Sequence, residues 1–160
     1  MAFLRVTITT MPQSLSFILI HVIFSTQDRA PVLDPSIRPA LYDHLSTVSR
    51  NAGCECYRVG GIADHVHLAI RLSCSITMEK LIEELKSSSS KWLQNQSPSL
   101  ATFAWQAGYG AFSVGPPDLE VLRHYIDNQK EHHKVRIFQE EYRAFLTKYQ
   151  IQFDEPEVWD

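Results

Sequence analysis

The clearest periodicity in the chain lies between Val66 and Leu72, where Val66, Leu68, Ile70 and Leu72 alternate with His67, Ala69 and Arg71. A period of two marks a strand with two unlike faces. The run from Leu15 to Phe24, rich in Ile, Val and Phe, predicts an earlier strand. Cys54 to Val59 predicts another, closed by a turn at Gly60-Gly61. Helical spacing takes over elsewhere. Asp34-Pro35 marks a helix start, and Leu41, Leu45 and Val48 share a face to about Arg50, with Gly53 as the breaker. Thr77 is an N-cap for a helix through Leu81, Ile82, Leu85 and Trp92, which carries four consecutive serines, Ser87 to Ser90. Trp105 to Val114 supplies one more strand, ended by Pro116-Pro117. Asp118 then caps a helix striped by Leu119, Leu122 and Ile126, and a last amphipathic helix runs from about Phe138 to Tyr149.

This order predicts an α+β domain: a ferredoxin-like antiparallel sheet, as in RNA-recognition modules, with helices on one face and the other face free for a ligand. The domain is expected over 11–150, with 1–10 as an N-terminal extension before Met11-Pro12 and 151–160 as an acidic tail. With 44% apolar and 21% charged residues, the composition is that of a globular chain. The longest apolar run already contains Ser16 and His21 and falls short of the roughly 20 residues that span a bilayer. It is followed by Ser25-Thr26-Gln27-Asp28, which offers no signal-peptide cleavage site. Three cysteines without a CxxC predict no disulfide framework, so the expected location is the cytoplasm.

The net charge of −3 argues at first against a nucleic-acid partner. Its distribution changes the picture, because residues 137–160 hold six acids and two bases, leaving the rest of the chain near neutral. Two basic groups stand out, Lys80, Lys86 and Lys91, then Arg123, Lys130, Lys134 and Arg136. They fit either solvated helix faces or local phosphate-binding patches, and charge alone does not choose.

His65 and His67 stand two apart on the clearest strand, so both imidazoles project from the face opposite Val66, Leu68 and Ile70, with Cα atoms about 6–7 Å apart. Such a pair can chelate one divalent metal or be two exposed histidines. Tyr125 and Gln129, four apart, share a helix face; an amide oxygen can join two imidazoles around a hard cation, while a tyrosine there can also be an edge-of-core aromatic. Cys54 and Cys56 could join His65 and His67 as a zinc set, although CxC is unlike the usual knuckle, and small strand residues are the simpler reading. Asp64, next to His65, is expected on the opposite face unless the turn twists.

Gly61-Ile62-Ala63-Asp64-His65-Val66-His67-Leu68 resembles the His-hydrophobic-His strand of the small single-tyrosine transposases of bacterial insertion sequences and their REP-associated relatives. Leu85 to Trp92, Trp105 to Val114 and Tyr125-Ile126-Asp127-Asn128-Gln129 resemble the family's other blocks, in order. The resemblance implies cleavage and rejoining of single-stranded DNA at hairpin-bearing ends through a covalent 5′-phosphotyrosine. It makes Tyr125 the nucleophile and His65, His67 and Gln129 the ligands of Mg2+ or Mn2+, in a homodimer with composite sites. Lys86, Ser88, Lys91 and Lys130 are candidate contacts to the DNA backbone, and Trp105 and Tyr109 either stack on bases or pack in the core. A non-catalytic single-strand-binding module and a domesticated relative with a host role are the alternatives.

Overall fold

The computed structural model describes residues 15–159. The proposed extension at 1–10 lies outside the described residues. The elements are β1 (Leu19–Ser25), α1 (Arg38–Asn51), β2 (Glu55–Gly61), β3 (His65–Arg71), α2 (Met78–Gln94), β4 (Gly110–Val114), α3 (Leu119–Asp127), α4 (Gln129–His132) and α5 (Phe138–Lys148). The four strands form one antiparallel sheet in the order β2-β3-β1-β4. This is the α+β arrangement expected. No helix among the described residues is long and apolar enough to cross a membrane.

One sheet face carries Ile20, Val22 and Phe24 of β1 and Val66, Leu68 and Ile70 of β3, all packed with Leu41 and Leu45 of α1 and Leu81, Ile82 and Leu85 of α2. Each such side chain contributes about 1.5–3 kcal/mol by leaving water. Thr77 caps α2 as expected, its Oγ1 accepting from the Lys80 amide at 3.2 Å. Helix α1 starts later than Asp34 because that side chain folds its own turn, accepting from the Ser36 amide at 2.8 Å.

The opposite face is not free. Ala69 packs against Leu122 and Ile126 of α3. Ile23 and Phe112 pack against Phe138, Tyr142 and Leu146 of α5. The apolar stripes of α3 and α5 need a partner surface, and this face supplies it. Close approach is built into the sheet: a Cβ on Gly60 would lie 2.6 Å from Ile126 Cγ2 and 2.8 Å from its carbonyl oxygen. Only a residue without that atom lets α3 settle onto β2.

Candidate metal and nucleophile site

Because α3, α4 and α5 cover that face, His65 and His67 are fully buried, not displayed on an open sheet. The pairings Ser25↔His65, Ile23↔His67 and His21↔Ala69 put His21 of β1 diagonally beside His67. A buried imidazole needs partners for its nitrogens, and each ring has one behind it. Asp64 Oδ1 lies 2.7 Å from His65 Nδ1, so the turn folds Asp64 back to the histidine side. His21 Nε2 lies 2.8 Å from His67 Nδ1.

Both Nε2 atoms therefore face inward, toward Glu141 of α5. Glu141 Oε2 lies 3.6 Å from His65 Nε2 and 3.7 Å from His67 Nε2. Ligand atoms of His65, His67 and Glu141 all fall within 4.8 Å of one another, a grouping that can hold a metal ion. Gln129 is buried beside them, its Oε1 3.2 Å from His65 Nε2 and 3.1 Å from His133 Nε2. Its Nε2 donates to Glu141 Oε1 at 3.2 Å, and His133 Nε2 lies 2.8 Å from Glu141 Oε2.

The electrostatics favour a cation. Burial, with the imidazoles of His65 and His133 beside it, holds His67 well below its ordinary pKa, so the ring is neutral with a lone pair to give. Its Nε2 is sealed from solvent and has no hydrogen-bond partner. Burial lowers His133 to about 4. Glu141 is pushed up to about 7, chiefly by burial, with the Asp64 carboxylate adding to the rise and His65 opposing it. Burial also opposes ionisation of Asp64, yet its hydrogen bond to His65 keeps that carboxyl below its usual value. Two imidazole nitrogens, an amide oxygen and a buried carboxylate form a mixed nitrogen and oxygen donor set that can hold a divalent ion.

Tyr125 stands at the edge of this cluster, half-buried in the last turn of α3. Its ring lies 4.9 Å from that of His132, 5.7 Å from His67 and 6.0 Å from His21, centroid to centroid. The helix expected to carry both Tyr125 and Gln129 is interrupted at Asn128, whose side chain donates to the His124 carbonyl oxygen at 2.8 Å. Gln129 thus opens α4. Gln129 contacts His65 of its own chain, and the Tyr125 ring lies beside that of His67. A cleft of about 710 Å³ beside Tyr125, bordered by His124, His132, His133 and Arg136, opens onto Glu141.

The remaining candidates sit elsewhere. Lys86 donates to the carbonyl oxygens of Gln106, Ala107 and Gly108 at 2.7, 3.0 and 2.7 Å. All three of its N–H groups are engaged, so it ties down a loop. Ser88 Oγ lies 3.0 Å from His44 Nε2, and Lys91 is exposed on the same helix. That helix, α2, packs on the sheet face opposite the histidines. Lys130 is exposed one residue beyond Gln129. Trp105 belongs to the core, donating to Ser89 Oγ at 2.8 Å, whereas Tyr109 is exposed. Cys54 and Cys56 pack with the α1–α2 core, on the wrong face to join the histidines. Among the described residues, the metal-competent grouping contains no cysteine.

Sequence reasoning missed Glu141, His133 and His21. In the sequence Glu141 reads only as part of the acidic C-terminal segment. Its signal was its place three residues after Phe138 and one before Tyr142, which puts a carboxylate next to the apolar stripe of α5.

A family model described as "Transposase IS200 like" matches residues 14–129. A crystal structure of a candidate transposase from Deinococcus radiodurans R1 superposes with a TM-score of 0.59 at 21% identity, covering 75% of this chain and 96% of the other. A REP-associated tyrosine transposase bound to a REP hairpin superposes with a TM-score of 0.55 at 13% identity, covering 78% of this chain and 74% of the other. Comparison with curated proteins found no match.

Proposed function

Since the chain belongs to the IS200-like transposase family, we propose that it cuts and rejoins single-stranded DNA at hairpin-bearing ends through a covalent bond between Tyr125 and a 5′-phosphate. The observation that carries this reading is the juxtaposition of the Tyr125 ring with inward-facing donors of His65, His67, Gln129 and Glu141 in one chain. Hairpin DNA as the substrate is supported by the structural neighbour that binds a REP hairpin.

His65, His67 and Glu141, with Gln129 Oε1, would hold Mg2+ or Mn2+. Such an ion polarises the scissile phosphate and offsets the charge that builds on its oxygens. Asp64 and His21 fix the planes of the two imidazoles, and burial keeps the His67 ring neutral and ready to bind. A phenol with an ordinary pKa of about 10 is mostly protonated at neutral pH, so attack requires loss of that proton. The Tyr125 oxygen bonds to phosphorus, the bond from phosphorus to the 3′ oxygen breaks, and that oxygen leaves as a protonated 3′-hydroxyl. The tyrosyl ester keeps the bond energy. A second 3′-hydroxyl can therefore reverse the step on another strand with no nucleotide consumed.

Lys130, exposed beside Gln129, contacts the DNA backbone in this reading. In a homodimer, which the family implies, each chain can use its own Tyr125 without exchanging helices.

A 3′-labelled hairpin oligonucleotide incubated with the protein and Mn2+ tests the proposal. A denaturant-stable protein–DNA adduct is expected, absent with Tyr125→Phe. Tight binding of authentic end sequences with no adduct would overturn it and leave a non-catalytic binding module.

A further inference from the structure

Taking His65 and His67 as the metal ligands proposed above, we infer that His21 is a positioning residue of the centre: it accepts the Nδ1–H of His67 and so keeps the His67 Nε2 lone pair aimed at the cation site.

His21 lies in an otherwise aliphatic stretch of β1, Leu19-Ile20-His21-Val22-Ile23, and is only 2% exposed. An imidazole buried there costs free energy unless its polar atoms are paired, so a purely structural position would favour an aliphatic residue. Its side-chain hydrogen bond is to His67 Nδ1 at 2.8 Å, with the two rings nearly parallel at 24° and 5.0 Å between centroids. A bond between two neutral imidazoles needs one N–H and one lone pair.

His67 Nε2 has no protein partner in either tautomer, but only one of the two leaves it free to bind a cation. If His67 carried its proton on Nε2, that N–H would point at Glu141 Oε2 from 3.7 Å, too far for a hydrogen bond, on an atom itself sealed from solvent. With the proton on Nδ1, the N–H goes to His21 and Nε2 presents a free lone pair. The rings of Phe145 at 5.1 Å and Tyr125 at 6.0 Å meet His21 edge-on and fix its plane, so the acceptor is held in place.

The two ligands are thus backed differently. His65 has a carboxylate behind it, Asp64, while His67 has a neutral acceptor. A second carboxylate behind His67 would put another negative charge near Glu141, which Asp64 already discourages from ionising. A neutral imidazole sets the same tautomer without that repulsion.

Isothermal titration of the full chain with Mn2+ tests this. His21→Phe keeps a ring of similar size but removes the acceptor, and is expected to weaken Mn2+ binding by about 10- to 100-fold. His21→Gln retains a side-chain acceptor and is expected to recover part of that loss, which a merely space-filling role would not produce. In the metal-free wild type, 15N NMR of the imidazoles is expected to show His67 protonated on Nδ1. Wild-type Mn2+ affinity in His21→Phe, or a wild-type His67 protonated on Nε2, would overturn the inference. Should His21→Phe not fold, His21→Gln and the wild-type tautomer decide it. A wild type that binds no Mn2+ overturns the ligand assignment itself, an outcome distinct from normal wild-type binding that is insensitive to position 21.

Discussion

Glu141→Gln should make the metal-free protein more stable while weakening its hold on a divalent cation. The wild-type carboxyl is buried among imidazoles, with Asp64 the nearby charge, and burial is the main reason it is pushed from 4.5 to about 7. At about 1.4 kcal/mol per pH unit, that difference corresponds to about 3 kcal/mol. The folded-state value lies above the unfolded one, so the native protein binds the extra proton between about pH 4.5 and 7. The carboxyl's relative contribution is therefore best below 4.5, declines as pH rises, and carries its full cost above about 7. Glutamine abolishes the titration and can still accept from Gln129 Nε2, which bonds Glu141 Oε1 at 3.2 Å in the wild type. Urea unfolding in EDTA should find Glu141→Gln more stable by about 3 kcal/mol at pH 8, with the gap closing to under about 1 kcal/mol at pH 5. Added Mn2+ should stabilise the wild type at pH 8 and the variant much less. A variant equal to or weaker than wild type at pH 8 in EDTA would refute the idea that an uncompensated carboxylate is stored in this site.

Other outcomes follow from the packing around the site. Gly60→Ala should cost about 1–3 kcal/mol in denaturant unfolding, because its Cβ would meet Ile126 at 2.6 Å and push α3 off the sheet. Adduct formation should fall as well, since Tyr125 rides on α3. Lys86→Ala should lower the melting temperature by freeing the 106–108 loop but leave the salt dependence of DNA binding unchanged. Lys130→Ala should reduce that log–log slope by about one, as for a lost phosphate contact. Replacing Cys54 and Cys56 by serine should leave bound metal unchanged on elemental analysis; a loss would revive a thiolate site.

The strands and the Thr77 cap were readable because they rest on local rules, whereas Asp118 stands before α3 without a side-chain cap bond. Alternation over Val66 to Leu72 identified β3 and placed the two histidines on one face, and Thr77 announced α2. What covers that face was harder to see. The stripes of Leu122 and Ile126, and of Phe138 and Tyr142, show that two helices need partners, but not that the histidine face is the partner. The same gap hid Glu141. On a surface helix it would be an ordinary acid, and only docking of α5 brings it to His65 and His67. His21 was submerged in an apolar run, because its role depends on a diagonal pairing across β1 and β3. The break at Asn128 is invisible to i, i+4 spacing, which presumes an unbroken helix; the Asn128 side chain and backbone N–H both donate to the His124 carbonyl there.

The proposal that paired imidazoles hold an ion beside a tyrosine nucleophile is tested most directly by anomalous diffraction from crystals soaked in Mn2+. A single anomalous peak is expected among His65 Nε2, His67 Nε2 and Glu141 Oε2, within reach of Gln129 Oε1 and on the same side of the sheet as Tyr125. Strong peaks elsewhere with none between the two histidines would contradict it.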